Sequence, residues 1–402
     1  MSNPRILFVD DEPLMLQGLR NLLWKDKSRW DLVFANGGQE ALALLASSPC
    51  DVVISDMLMP GMDGPELLTE VCARHPDSVR FILSGYADRA SMLRAVPMAH
   101  QYLGKPCNSA ALRGTIERAL GMRTLLENES LRLIVGKITN LPSVPASYHQ
   151  LCQAVSDPKC GINEIAEIVQ GDPAMAVRVL QLVNSAFFGA TSEITSVQQA
   201  VRSLGTELIK GMALVGNILT AMESKTSEDI AADQLQLNWI QSAKLAKSFM
   251  TDTAKGETAF TAALVRDVGK IVMALELPDQ FSEILREARM GGRLQHEVEK
   301  EHLGTTHAEI GAYLLGVWGL PFSIVQSVAF HHAPHMLVDG AVDIIAAVHV
   351  AGTLMDARDM ITSPAEPASL LDAEFLKASG ADMELPRWLG IAEHQRAEIK
   401  RT

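Results

Sequence analysis

Four short apolar runs in the first 106 residues each break off at a residue capable of chemistry. Arg5–Val9 ends at Asp10 and Asp11, Val52–Ser55 at Asp56, Phe81–Leu83 at Ser84, and Gln101–Gly104 at Lys105 and Pro106. Helical patterns lie between and after them, over Pro13–Trp24, Gln39–Ala46, Pro65–His75 and Asn108–Leu120. Strand-like runs alternating with helices leave few choices besides a parallel α/β sheet covered by helices. In such an open sheet the carboxyl ends of the strands lie side by side and form the ligand crevice. The four strand ends are therefore expected to build one site.

Charge dictates what that site needs. Two unit charges about 4 Å apart repel by roughly 4 kcal/mol at an effective dielectric of 20, so Asp10, Asp11 and Asp56 together call for a cation. Mg²⁺ accepts a few carboxylate oxygens while keeping several waters, and it would screen an incoming phosphoryl group. One carboxylate can then attack phosphorus, with the Ser84 hydroxyl and the Lys105 ammonium holding the equatorial oxygens. Singly, each residue has a structural alternative. Asp10 or Asp11 could cap the helix at Pro13, Asp56 could close a turn before Met59-Pro60-Gly61, Ser84-Gly85 could be a loop, and Lys105 could be solvated. Four such residues at successive strand ends favour the site.

The stretch from Arg5 to about Leu120 resembles the receiver domain of bacterial two-component response regulators. The resemblance is carried by Phe8-Val9-Asp10-Asp11-Glu12, by Ser55-Asp56 through Gly64, by Leu83-Ser84-Gly85 and by Tyr102-Leu103-Gly104-Lys105-Pro106. It implies a flavodoxin-like (βα)₅ domain in which Asp56 accepts phosphoryl from a sensor histidine kinase or phosphotransfer protein. Asp10, Asp11, Asp56 and the Leu58 backbone carbonyl would arrange Mg²⁺. Ser84 and Tyr102 would be the switch pair, and the signal would leave through the face around Ala87 to Tyr102. Pro97 departs from the continuous short helix usual in that segment.

From Thr124 onward the pattern is helical, punctuated at Asp157-Pro158, Gly171-Asp172-Pro173, Leu204-Gly205, Leu277-Pro278 and Leu320-Pro321. Asp172-Pro173 reads as a cap with proline in the first turn, and Leu204-Gly205 as a helix stop. Over about Val135 to Thr353 this half resembles the HDOD domain, a relative of the HD phosphohydrolases. The motifs are Leu141-Pro142-Ser143-Val144-Pro145, Leu182-Val183-Asn184-Ser185, Thr306-His307-Ala308-Glu309-Ile310-Gly311, Trp318-Gly319-Leu320-Pro321 and His331-His332. An HD metal site takes a histidine, a His-Asp pair and a later aspartate. By resemblance these fall near Gln241, on Arg266-Asp267 and near Gly352, so three of the four ligands are missing. A guanidinium has no lone pair for a metal, and Arg266 is expected to pair with Asp267 instead. His307, His331, His332, His335 and His349 are expected to be hydrogen-bonded structural groups, and no cofactor is expected in this half.

The expected arrangement is a receiver over residues 1–122, a helical linker over 123–137, an all-α HDOD output domain over 138–360, and a helical tail over 361–402 without an assigned role. Leucines 125, 126, 131 and 133 fit either pairing with a second copy, as a homodimer, or a solvated connecting helix. The net charge of −13 and the lack of a basic run argue against DNA as a partner. Five cysteines without a Cys-x-x-Cys pair suit reduced thiols. No apolar stretch approaches the roughly 18 residues of a membrane span, so a cytoplasmic location without membrane insertion is expected. The functional expectation is a response regulator whose phosphorylated Asp56 controls a non-catalytic HDOD domain that binds a downstream signalling protein. The alternatives are a metal-dependent cyclic-dinucleotide phosphodiesterase and a constitutive scaffold.

Overall fold

The computed structural model describes residues 3–85, 98–106, 108–123, 126, 128–139, 141, 143, 145–157, 160–185, 193–206, 208–209, 212, 232–337, 342–356 and 370–399. Ala87, Asp88 and Pro97, on the expected signalling face, lie outside these residues, as do Leu125 and Cys107.

The amino-terminal half is a parallel sheet of β1 (Arg5–Val9), β2 (Asp31–Ala35), β3 (Val52–Asp56), β4 (Val79–Gly85) and β5 (Gln101–Lys105) in the order β2-β1-β3-β4-β5. Helices α1 (Pro13–Leu22), α2 (Gly38–Ser47), α3 (Gly64–Arg74) and α4 (Ser109–Met122) accompany it. Ile6, Leu7, Phe8, Val52, Val53, Ile54, Phe81 and Ile82 have no exposed surface. Strands covered on both faces read as continuous apolar runs, which is why these segments do not alternate. The chain winds from β1 to β2 on one side and then continues through β3 on the other, so the crevice falls between β1 and β3. Register sets Val9 beside Ser55, Asp56 beside Leu83 and Gly85 beside Lys105. The chemically capable residues thus emerge on one edge.

Within the expected linker the described residues hold one helix, separate from α4. This is α5 (Glu129–Gly136), capped by Asn128 accepting from the Leu131 N–H. Leu126, Leu131 and Val135 pack into this chain's own core rather than toward solvent or a second copy, while Leu133 is half-exposed. Arg123 and Arg132 pin the connection to Asp51 and Asp77 of the sheet domain.

Beyond residue 126 every element among the described residues is helical. Helix α8 (Pro173–Val183), buried along its whole length, follows α6 (Pro145–Ser156) and α7 (Ile162–Gln170). Asp172 caps α8 by accepting from the Met175 N–H at 3.1 Å, with Pro173 in the first turn. The next helix, α9 (Val197–Leu204), stops at Gly205. The chain continues through α10 (Ala232–Phe249), α11 (Thr253–Val265), α12 (Val268–Glu276), α13 (Pro278–Gly291), α14 (Gln295–Leu303), α15 (His307–Val317), α16 (Phe322–Phe330) and α17 (Val342–Asp356), with α11 packed against α8, α10, α16 and α17. Two further helices, α18 (Ala373–Ser379) and α19 (Leu385–Ile399), close the chain; Trp388 stacks on Phe249 at 4.9 Å. No helix among the described residues is long and apolar enough to cross a membrane.

Candidate functional site

At the carboxyl edge of the sheet, one carboxylate oxygen from each of Asp10, Asp11 and Asp56 lies within 4.8 Å of the others. Lys105 reaches across from β5, donating to Asp10 Oδ2 at 2.8 Å and contacting Asp56 Oδ1. Asp10 is buried, and its Oδ1 accepts the Glu12 N–H at 2.9 Å; Glu12, not either aspartate, occupies the N-cap of α1. Burial raises the Asp56 pKa and outweighs the lowering by the Lys105 hydrogen bond and charge. Burial acts to lower that of Lys105, but its hydrogen bonds to Asp10 and Asp56, and their charges, hold it above the ordinary lysine value. Three carboxylates facing one ammonium leave a deficit of positive charge, and the donor set is all oxygen. Both features fit a hard divalent cation such as Mg²⁺.

The backbone brings the acid forward. A Cβ at Gly64 would stand 2.1 Å from the Asp56 carbonyl oxygen, so the loop after β3 can close over Asp56 only with glycine there. Asp63 and Glu66 fix the start of α3 through a reciprocal capping box. Leu58 follows Asp56 with its side chain half-exposed. Ser84 is buried at the end of β4, donating to the Gly85 carbonyl at 3.3 Å. Tyr102 is also buried, and its hydroxyl donates to the Ala99 carbonyl at 3.3 Å.

In the helical half, Arg266, Asp267, His307, His331, His332 and Gly352 come together. Arg266 is buried, with Nε 3.0 Å from Asp267 Oδ2 and Nη2 donating to Asp356 Oδ1 at 2.6 Å. A Cβ at Gly352 would lie 1.8 Å from Arg266 Nη1, so the guanidinium fills the space a side chain there would need. Asp267 Oδ1 also meets Lys270 Nζ at 2.8 Å and His307 Nε2 at 3.1 Å. The other ring nitrogen of His307, Nδ1, lies 2.7 Å from Glu299 Oε2. Burial opposes protonation of His307, but the Glu299 charge and the hydrogen bonds to Asp267 and Glu299 outweigh it, so its pKa lies above the ordinary imidazole value. Two cations, Arg266 and Lys270, and the His307 ring between Asp267 and Glu299 thus face three carboxylates, Asp267, Glu299 and Asp356. His331 and His332 pack beside His307, and the three imidazoles offer nitrogens within 4.8 Å of one another. His331 Nδ1 donates to the Val328 carbonyl at 2.8 Å, while its buried Nε2 has no partner. Gln241 is half-buried on α10, one turn beyond Asn238, which lines the adjacent cavity. His349 donates to the His331 carbonyl at 2.7 Å and accepts the Asp372 N–H at 3.0 Å, and exposed His335 pairs with Asp372. Lys270, Glu299 and Asp356 were not singled out from the sequence. Glu299 lies in a highly charged helix that reads as solvated, and nothing in Gln295–Leu303 marks it as the buried one.

Comparison with known proteins matches these two regions separately. A family model for the response regulator receiver domain matches residues 6–117, and one for the HDOD domain matches residues 141–334. The chain contains a response regulator receiver domain and an HDOD domain. The receiver region is 35% identical over 117 residues to the hydrogenase transcriptional regulatory protein HoxA of Cupriavidus necator, covering 29% of this chain and 24% of that protein. An uncharacterized protein of Treponema pallidum is 24% identical over 233 residues, covering 55% of this chain and 44% of its own length. The chain thus spans less than half the length of these curated relatives. A crystal structure of a virulence factor from Campylobacter jejuni shares the fold, with a TM-score of 0.53 at 21% identity, covering 67% of this chain and 98% of that one.

Receiver and HDOD domains meet along the edge strand β5. Gln101 Nε2 donates to the Val317 carbonyl of α15 at 2.9 Å, and Gln181 Nε2 of α8 donates back to the His100 carbonyl at 2.9 Å. Buried Arg80 of β4 donates to the Gly136 carbonyl at the end of α5 at 2.9 Å. Arg178, beside Gln181, donates to the Thr139 carbonyl at 2.7 Å and lies 4.8 Å from the centre of the Trp318 ring. Burial pushes the Arg178 pKa down to about 10, opposed by the charge interaction with Tyr102. The switch residue expected from the sequence therefore lies beneath the HDOD domain.

Proposed function

We propose that Asp56 is the phosphoacceptor of this response regulator and that the acyl phosphate alters the contact between the receiver and a non-catalytic HDOD domain. The observation that supports this best is the convergence of Asp10, Asp11, Asp56 and Lys105 on one buried edge. An Asp56 oxygen attacks phosphorus as the bond to the donor, a phosphohistidine of a sensor kinase or phosphotransfer protein, breaks. Asp10, Asp11, Asp56 and the Leu58 carbonyl would hold Mg²⁺, which supplies charge neutralisation for the entering phosphoryl group. Lys105 and Ser84 hold equatorial oxygens of that group. Once Lys105 and Ser84 turn to the phosphoryl group, the buried Tyr102 ring shifts after Ser84 and its electrostatic interaction with Arg178 changes.

A transferred phosphoryl group brings about −1.5 to −2 charges and three acceptor oxygens. Moving a 1:99 balance to 99:1 takes about 5.5 kcal/mol, within reach of a few charge-assisted hydrogen bonds. The proposed boundaries are 1–122 for the receiver, 123–137 for the linker, 138–360 for the HDOD domain and 361–402 for the tail. The setting is cytoplasmic, and the output is a downstream signalling protein. A non-catalytic HDOD domain is supported by Arg266, whose guanidinium stands among the carboxylates a metal would need. Incubation with acetyl phosphate and Mg²⁺, read by phosphate-affinity electrophoresis, should give one modified species that disappears in Asp56→Asn. Persistent labelling of that variant would refute the assignment.

One observation favours a second reading. The bare Nε2 of His331 beside His307 and His332 is a nitrogen donor set for a transition metal. Stoichiometric iron, manganese or zinc in purified protein, lost in His331→Ala, would revive the phosphodiesterase alternative.

A further inference from the structure

Next to the buried ion network lies a cavity of about 500 Å³, which the phosphorylation mechanism does not use. That volume is in the range of small-molecule sites. Its polar wall carries Lys270, Arg289, Arg293, His296 and His332. Asp356 is the one carboxylate lining it among the described residues, and Arg266 holds it at 2.6 Å. The acids behind the wall, Asp267 and Glu299, are buried and face Arg266, Lys270 and His307. Arg293 is braced from outside by Glu287 and Glu301. The carboxylates are thus turned toward cations of the protein, and the surface left to the cavity is rich in N–H donors. Lys270 Nζ has Asp267 as its partner and keeps further N–H bonds for another acceptor. Part of the wall offers ring faces and apolar surface. His296 and His332 stack 3.9 Å apart at 17°, and Leu285, Ala288, Leu294 and Leu370 line the cavity with them.

We propose that this cavity binds a small organic phosphate with a planar ring, without hydrolysing it. The phosphate meets the Lys270 and arginine side, where an ammonium acts as a point charge and a guanidinium as a two-pronged donor. The ring lies against the imidazole pair and the leucines. Nothing in this arrangement calls for a metal ion or for phosphorylation of Asp56, so the ligand forms an input separate from the receiver.

The test is calorimetric titration of the full chain with 4-nitrophenyl phosphate in the presence of EDTA, alongside absorbance for released nitrophenolate. Saturable binding of one equivalent is expected, with no release. 4-Nitrophenol, which lacks the phosphate, should bind at least tenfold more weakly. Arg289→Glu, at an exposed position, should weaken binding of the ester at least tenfold, and His332→Ala should weaken the ester and the phenol alike. Circular dichroism confirms that each variant is folded. No saturable binding, binding unchanged in both variants, or release of nitrophenolate under EDTA would each overturn the proposal. Because EDTA removes Mg²⁺, these outcomes are independent of whether Asp56 accepts phosphate.

Discussion

At Asp56 burial and charge pull in opposite directions, and Lys105 keeps the acid usable by standing between it and Asp10. A similar opposition, without any external ion, organises Arg266. Its guanidinium lies between Asp267 and Asp356 in space that exists because residue 352 has no side chain. Gly352→Ala should lower stability by about 1–3 kcal/mol through overpacking, read as a shift in the urea midpoint. In an Arg266→Ala background the same change should be far milder, since neighbouring changes couple. The identities of these residues were readable from the sequence because chemistry restricts them: three aspartates, a serine and a lysine at strand ends. Glu299 was not, because a buried acid and an exposed one look alike in a charged helix, and neither was Lys270, because the one lysine of an apolar helix reads as reaching solvent. Protonation adds a further test. His100 is held well below the ordinary value of 6.5 by burial and then by the charges of Arg80 and Arg178, and His331 and His332 by burial and neighbouring positive groups. A histidine with a depressed folded pKa stabilises the fold above its unfolded pKa, and that stability is lost as pH falls below about 6.5. His75, His296 and His349 are lowered as well, while His307, whose pKa is raised, acts in the opposite sense above 6.5, one group against six. The urea midpoint should therefore be lower at pH 5.5 than at pH 7.5.

Among the elements, those with local signals were legible. The apolar runs at β1, β3 and β4, the Asp172-Pro173 start of α8 and the Gly205 stop of α9 each carry their cause within a few residues. The connection between domains was not. Its leucines have a spacing that suits an exposed helix, a paired one or a packed one equally well, and the decision came from Asp51 and Asp77, distant in sequence, taking up Arg123 and Arg132. The seam along β5 was equally hidden, because Gln101, Gln181 and Arg178 matter only once strand and helix are side by side. Gln101→Ala and Gln181→Ala would each leave a buried carbonyl without its donor. Each should cost about 1–3 kcal/mol, measured by chemical denaturation, with the seam amides exchanging faster.

For the molecule as a whole, the route from Asp56 to the HDOD domain is short: β3 to β4 to β5, then Arg178 and Gln181 of the buried helix α8. An edge strand is ordinarily an exposed ladder; here it is a joint between domains, held partly by polar contacts whose geometry a shift of Tyr102 would disturb. The direct measurement is amide hydrogen exchange of the full chain with Mg²⁺, with and without beryllofluoride as the phosphoryl mimic. Changed protection is expected at His100–Tyr102 and at Val317–Trp318, and it should vanish in Asp56→Asn. Identical exchange throughout the HDOD domain, with beryllofluoride bound at the receiver, would contradict the account.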